Sequence, residues 1–252
     1  MDIHKLSIND FYDLVYKNTD RFFGIINKYN VIIVKNFYSK FFIKNLRNTT
    51  FEWGMNSKSE WKPLYDRCRD YHRLHDNYPN AYVKQKFHGF YHHGWLEKNR
   101  SLFNKFKPIF NLKNFLGGFS ENKFIHDKPS EGIIARILIH HYPVGGGYQA
   151  EHIDPIVNHA LIQTLIIASK YGQDYKSGGV YLNNGQKKIF IDEHTEIGDM
   201  IIMSPKHKHG VAEIDKNKNY SWNKNSGRWI IIPIFLFSDY KRFKAKKPSQ
   251  VN

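Results

Sequence analysis

The sequence predicts a mainly β protein, with a helical N-terminal part packed on a C-terminal jelly roll. From Gly132 onward the chain divides into many short apolar runs separated by turn signals. That is the pattern of a sandwich or barrel rather than of a parallel α/β sheet. Before that point apolar residues recur mainly at helical spacing. No linker separates the two parts. The 252 residues are therefore read as one domain, with a helical and irregular part over 1–131 and a β core over 132–240.

Each element follows from its own pattern. Ile8 to Lys28 carries Phe11, Leu14, Val15, Phe22, Ile25 and Ile26 at helical spacing. Tyr29–Asn36, with Val31, Ile32, Ile33 and Val34 in one apolar run, reads as a strand. Ser39 is placed to cap a helix over Ser39–Arg47. Residues 53–93 are dense in Tyr, His, Trp and Arg with weak periodicity, and read as an irregular insert or lid. Ser101–Leu116 is helical again. Strands are expected over Ile133–His141, Tyr148–Asp154, Ala160–Ser169, Gly178–Leu182, Lys188–Ile191, Gly198–Ser204 and Trp229–Phe237, with a Gly-rich turn at Gly145, Gly146 and Gly147.

Composition narrows the class. The net charge of +15 makes nucleic acid the first partner to consider. The lysines are scattered and form neither a zinc-finger spacing nor an RNP-like motif, so nucleic acid is disfavoured. The positive field suits an anionic cosubstrate or substrate instead. The single cysteine, Cys68, excludes an intrachain disulfide and fits a reducing compartment. The first residues are polar and unlike a signal peptide. No apolar run approaches the roughly 20 residues of a membrane helix. A cytoplasmic protein without a membrane partner is expected.

The chemistry centres on His152-Ile153-Asp154. On a strand, residues i and i+2 share a face, so the imidazole and the carboxylate reach one point. A third ligand must come from elsewhere, and His209, just past the strand Gly198–Ser204, is placed for it. Two histidines and one carboxylate leave open positions on a metal, which suits non-haem iron(II). His207 lies two residues from His209 and competes for the third place. With 14 histidines in the chain, a His-x-Asp triplet alone is weak. The case rests on an ordered series: Tyr142-Pro143-Val144-Gly145-Gly146-Gly147-Tyr148, His152-Ile153-Asp154-Pro155, Ser177-Gly178-Gly179, Gly198-Asp199-Met200, His209-Gly210-Val211 and Gly227-Arg228-Trp229.

That series resembles the iron(II)- and 2-oxoglutarate-dependent dioxygenase superfamily, most closely its prolyl-hydroxylase-like branch, over residues 133 to 239. The resemblance implies a double-stranded β-helix (jelly roll, cupin-like) core. It also implies an oxidoreductase that uses Fe(II), 2-oxoglutarate and O2 to hydroxylate an unactivated C–H bond. His152, Asp154 and His209 would be the metal-binding and catalytic set. Arg228 would bind the distal carboxylate of 2-oxoglutarate through its planar fork; Arg136 is the alternative. The stretch Asp215–Ser226 before it is longer than the family's and forms either a substrate mouth or a misassignment of the arginine. Tyr142 is either a core tyrosine or a cosubstrate contact, and Thr164 either a packing residue or a second such contact. A carboxylate at Asp154 favours hydroxylation or desaturation over halogenation, which needs a small residue there.

The substrate is expected to be a polar small molecule or peptide of amino-acid or sugar type, and the positive charge would suit an anionic one. Tyr82, Phe90, Tyr91 and His93 are the candidate substrate wall; packing of the insert against the barrel is their competing role. Two other functions compete. A nucleic-acid demethylase of the same superfamily would carry a second arginine in the last strand, and Ile230–Phe237 has none. A non-catalytic jelly-roll binding module would have no reason to keep three ligands and Arg228.

Overall fold

The computed structural model describes residues 2–77, 81 and 83–238. Val31-Ile32-Ile33-Val34 is apolar at every position, and all four side chains are buried. Such a strand needs cover on both faces. Ile32 and Val34 pack with Phe11, Phe22, Phe106 and Phe110 of the helices, while Val31 and Ile33 pack with Val180, Leu182 and Val211 from other strands. Two hydrophobic cores therefore lie on opposite faces of one sheet.

That sheet has 12 strands. In chain order they are β1 (Ile3–Leu6), β2 (Val31–Val34), β3 (Tyr71–Asp76), β4 (Gln85–His93), β5 (Ile133–Pro143), β6 (Gly147–His152), β7 (Gln163–Ile167), β8 (Gly179–Asn183), β9 (Lys188–Phe190), β10 (Met200–Met203), β11 (Lys208–Ile214) and β12 (Gly227–Phe237). Their spatial order is β1-β2-β10-β7-β12-β5-β4-β6-β11-β8-β9, with β3 beside β4. β4 turns the sheet back on itself: His88 to His93 pair with β5, whereas Gln85 and Lys86 pair with β6. The result is a curled, double-stranded β-helix core. Gly145 and Gly146, both at positive φ, make the β5–β6 turn.

Among the described residues there are four α-helices: α1 (Ile8–Lys17), α2 (Thr19–Ile26), α3 (Lys40–Asn56) and α4 (Arg100–Leu116). The expected helix over 8–28 is two helices, broken at Asn18, whose φ of −141° and ψ of 51° are non-helical. Ser39 caps α3 by accepting from the Phe42 N–H at 3.3 Å, and the helix runs nine residues past the expected end at Arg47, to Asn56. The expectation of an irregular insert over 53–93 is corrected: it holds the end of α3 and the β3–β4 hairpin, whose register runs from Tyr71 opposite Tyr91 to Asp76 opposite Lys86. β1 to β4 all precede residue 132, so the β structure does not begin there. No described helix is long and apolar enough to cross a membrane.

Alternation assigns each side chain its face. On β12, Trp229, Ile231 and Phe235 pack in the helix-side core, and Ile230 packs in the inner one. On β5, Ala135, Ile137 and Ile139 join the helix side, and Tyr142 the inner side. The hairpin strands and β5 also bury histidines. Burial pushes His75 and His93 down to about 4 and His140 and His141 to about 3, and lowers His88 as well. These groups are neutral in the fold. In the unfolded chain they take up protons below ~6.5, so the unfolded state binds more protons and stability falls as pH falls through that window. Each such histidine adds up to about 1.4 kcal/mol per pH unit. The thermal midpoint should hold above pH 7 and drop by about 10 °C or more by pH 5, followed by circular dichroism. A midpoint unchanged from pH 7 to 5 would contradict the buried neutral histidines.

Candidate metal and cosubstrate site

His152 ends β6 and lies directly opposite His209 of β11 in the sheet register. Their rings are 4.4 Å apart, centroid to centroid. Asp154 follows just beyond the strand, held by its N–H donating to the Pro205 carbonyl at 3.1 Å. His152 Nε2 is 3.6 Å from Asp154 Oδ1, and His209 Nε2 is 3.1 Å from Asp154 Oδ2. One ligand atom from each residue lies within 4.8 Å of the other two. Among the described residues this is the only group of three or more His, Cys, Asp or Glu so arranged.

The backbone sets the tautomers. His152 Nδ1 lies 2.9 Å from the Ala150 carbonyl, and His209 Nδ1 lies 2.8 Å from the His207 carbonyl. A carbonyl only accepts, so each Nδ1 carries a hydrogen and each Nε2 is the nitrogen that faces the shared point, available to a metal once it is free of a proton. Gln163 donates to Asp154 Oδ2 at 2.5 Å and fixes the carboxylate. Burial opposes charge on Asp154, but the hydrogen bonds from His209 and Gln163 and the nearby His152 leave its pKa below the ordinary carboxylate range. Burial likewise opposes protonation of His209, and Asp154 outweighs it and raises its pKa. A cation binding here displaces that proton. Two imidazole nitrogens and one carboxylate, with second hydrogen bonds already satisfied, fit a divalent transition metal such as iron(II).

His207 has another task. Its Nε2 lies 2.7 Å from the Ile26 carbonyl at the end of α2, and its ring stacks on Tyr29 at 3.9 Å. It anchors the start of β11 to the helical layer, and its main-chain oxygen orients His209.

The triad opens into a cavity of about 210 Å³ that Arg228, Tyr142, His140 and Gln149 also line, with Leu138, Val180, Ile230 and Ile232 as apolar wall. Arg228 is 2% exposed. Asp192 takes one edge of its guanidinium, at 2.6 Å from Nε and 3.1 Å from Nη2. Asp192 is itself held by the Tyr175 hydroxyl at 2.7 Å and the Val180 N–H at 2.9 Å. Gly179 makes this possible: at φ 116°, it lies where a Cβ would collide with the Asp192 carboxylate. Burial disfavours charge on Arg228, and Asp192 outweighs it, raising the pKa further. Nη1 stays outside this pair, so the fork keeps an edge for a second carboxylate. Tyr142 donates its hydroxyl to Gln149 Oε1 at 2.9 Å.

Other sequence expectations are corrected. Strand parity turns Thr164 and Phe90 away from this cavity, whereas Tyr91 and His93 share the inner parity of β4 with Phe87 and pack beyond the cavity. Thr164 is fully buried with its hydroxyl 3.5 Å from the Pro233 carbonyl, while its neighbours Gln163 and Leu165 line the cavity. Phe90 faces the helical layer, between Trp53 and Trp229 at 5.6 and 6.0 Å. Tyr91 stacks on Tyr71 at 4.7 Å and is 2.6 Å from His75 Nε2 through its hydroxyl. His93 is fully buried beside Asp70 and Trp95. None of Phe90, Tyr91 and His93 lines this cavity or the neighbouring one described below. Tyr82 lies outside the described residues. Arg136, the alternative clamp, sits against Tyr71 and Tyr91 and lines neither cavity. The sequence reading missed His140, Gln149, Gln163 and Asp192. Counting two and four residues back along β5 from Tyr142 would have found His140 and Leu138; no spacing pointed to Asp192.

No protein-family model and no curated protein matches the sequence. Solved structures do match. A putative 2OG-Fe(II) oxygenase family protein from Caulobacter crescentus matches at 11% identity and TM-score 0.53, over 94% of this chain and 87% of that one. The structure of a Neurospora crassa protein in complex with alpha-KG and thymine matches at 11% identity and TM-score 0.55, over 94% and 86%. JOX2, in complex with 2OG, Fe and JA, matches at 12% identity and TM-score 0.55, over 93% and 75%. The chain has the fold of the 2OG-Fe(II) oxygenases.

The two histidines of the His207-Lys208-His209 pair of positions are separable by experiment. His209→Ala should lower iron(II) affinity by about a hundredfold or more, measured anaerobically by calorimetry. His207→Ala, which keeps the main-chain oxygen on His209, should cost thermal stability and no more than about tenfold in affinity. The reverse order would move the third ligand to His207.

Proposed function

We propose that this protein is an iron(II)- and 2-oxoglutarate-dependent oxygenase that hydroxylates an unactivated C–H bond of a small-molecule or peptide substrate. The observation that carries this reading is the sharing of one small cavity by the His152–Asp154–His209 group and the Arg228 fork. The fold likeness to structures whose bound molecules are 2OG or alpha-KG supports it.

His152, Asp154 and His209 would hold the iron. Bound there, iron(II) supplies the redox chemistry by which O2 and 2-oxoglutarate become succinate and carbon dioxide while one oxygen atom enters the substrate C–H bond. The chain's own residues do the rest. Arg228 would hold the distal carboxylate by its free edge, and Asp192 keeps the guanidinium from turning. Tyr142 and Gln149 offer a polar patch on the same wall. Leu138, Val180, Ile230 and Ile232 keep water from the reacting atoms. Asp154 contributes a carboxylate where halogenation would need room, so hydroxylation or desaturation is the reaction type.

The Asp192 pair changes how Arg228 is tested. Arg228→Ala strands a buried carboxylate, at a cost of about 3–5 kcal/mol in stability. The double variant Arg228→Ala with Asp192→Asn removes the stranded charge. Both proteins should need on the order of a hundredfold more 2-oxoglutarate for half-maximal succinate formation, because a charge-assisted bidentate contact is lost. Arg228→Lys should lie between them and wild type. A folded double variant with wild-type 2-oxoglutarate dependence would place the clamp elsewhere.

A further inference from the structure

Lys113 lies on α4 and is 4% exposed. Its ammonium donates to the Ile162 carbonyl at 2.9 Å. Among the described residues it has no other hydrogen-bond acceptor, and no carboxylate lies within ion-pair distance. An ammonium carries three donors, and burying it without an anion is among the costliest arrangements in a protein. Burial pushes its pKa down to about 7, against a partial opposing pull from Asp154. Asp154 is already committed to His209 and Gln163.

The surroundings say what would repay this cost. Lys113 lines a second cavity, of about 390 Å³, whose walls include Val157, Ile162, Phe235 and Phe237. It shares Asp154, Gln163 and Ile234 with the cavity of Arg228. Asp154 of the candidate metal group therefore lies between two chambers: Arg228 lines one and Lys113 the other. Its rim is apolar and open, with Val157 41% and Phe237 63% exposed.

We propose that the Lys113 chamber binds a small amphipathic acid, with its carboxylate on the Lys113 ammonium and its apolar body along Val157, Ile162, Phe235 and Phe237. This narrows the substrate from a polar class to an apolar carboxylic acid. Its placement as the substrate rests on the oxygenase reading; the binding itself needs neither iron nor 2-oxoglutarate. The single buried cation sets one anionic group, the volume sets a small molecule, and the wall sets the rest of the ligand.

The test uses octanoate and 1-octanol as probes on metal-free protein, by calorimetry at pH 6.5. Wild type should bind octanoate at least about tenfold more tightly than 1-octanol, the preference expected of one charge-assisted contact. Lys113→Met should fold with an unchanged or higher thermal midpoint and bind the two probes alike. Arg228 is intact in both proteins, so a preference for octanoate that persists in Lys113→Met assigns the anion to another cation and overturns the proposal. So does the absence of any preference in wild type. If Lys113→Met does not fold, Lys113→Gln decides: it keeps a donor for the Ile162 carbonyl and should bind the two probes within about twofold of each other. A preference for octanoate retained in Lys113→Gln would overturn the proposal as well. A negative result here with iron-dependent succinate formation intact leaves the oxygenase reading standing and removes only this ligand class.

Discussion

Strands β2 and β10 of the large sheet have no solvent side, for every side chain in them is buried. One face lies against the helices and the other against the strands folded back over it, and the side-chain period of two divides the residues between them. Val31 to Val34 shows the constraint at its simplest, with four apolar residues split evenly between two cores. The same division places the chemistry. On β12 it sends Arg228, Ile230 and Ile232 to the cavity and Trp229 and Ile231 to the helices. On β5 it sends Leu138, His140 and Tyr142 inward. A one-residue slip in β12 would exchange a buried arginine for a tryptophan.

Electrostatics then limits what the inner face can hold. A buried guanidinium needs an anion, and Arg228 has one in Asp192, which Tyr175 and the Val180 N–H hold in turn. The pair lets the chain fold with its arginine inside. Its charge is half answered in advance, which weakens its pull on a carboxylate, but the fork is fixed in orientation, which lowers the entropy lost on binding. The three-residue group follows the same logic: His152 and His209 are oriented by main-chain carbonyls and Asp154 by Gln163, so the ligand atoms converge on one point. Lys113 is the exception, a buried cation whose only described protein acceptor is a carbonyl.

Much of this was legible in the sequence, and the omissions have physical reasons. The jelly roll showed in the short apolar runs after Gly132, and the ordered motifs picked out His152, Asp154, His209, Arg228 and Tyr142, which the structure gathers in one cavity. The hairpin of β3 and β4 was unreadable because its histidines and tyrosines are polar by type yet largely buried by context. Neutral histidines such as His88, and His141 on the adjoining β5, serve as core residues. Thr164 and Phe90 were chosen by type without regard to parity; each is one residue from the inner face, where Gln163 and Gly89 stand. β1 and β11 were missed because they are short or broken by bulges. Asp192 belongs to a short turn whose partner lies 36 residues away, a distance that no local pattern encodes.

The two halves of the cavity act as one site only if a metal and Arg228 grip the same ligand. In that case each raises the affinity of the other's partner, since binding free energies are reciprocal. The most direct measurement is anaerobic calorimetry of 2-oxoglutarate binding with and without iron(II), in wild type and in Asp154→Ala. The expected result is binding at least about a hundredfold tighter with iron in wild type, and no effect of iron in Asp154→Ala. Equal affinity for 2-oxoglutarate in wild type with and without iron would contradict a shared metal and cosubstrate site.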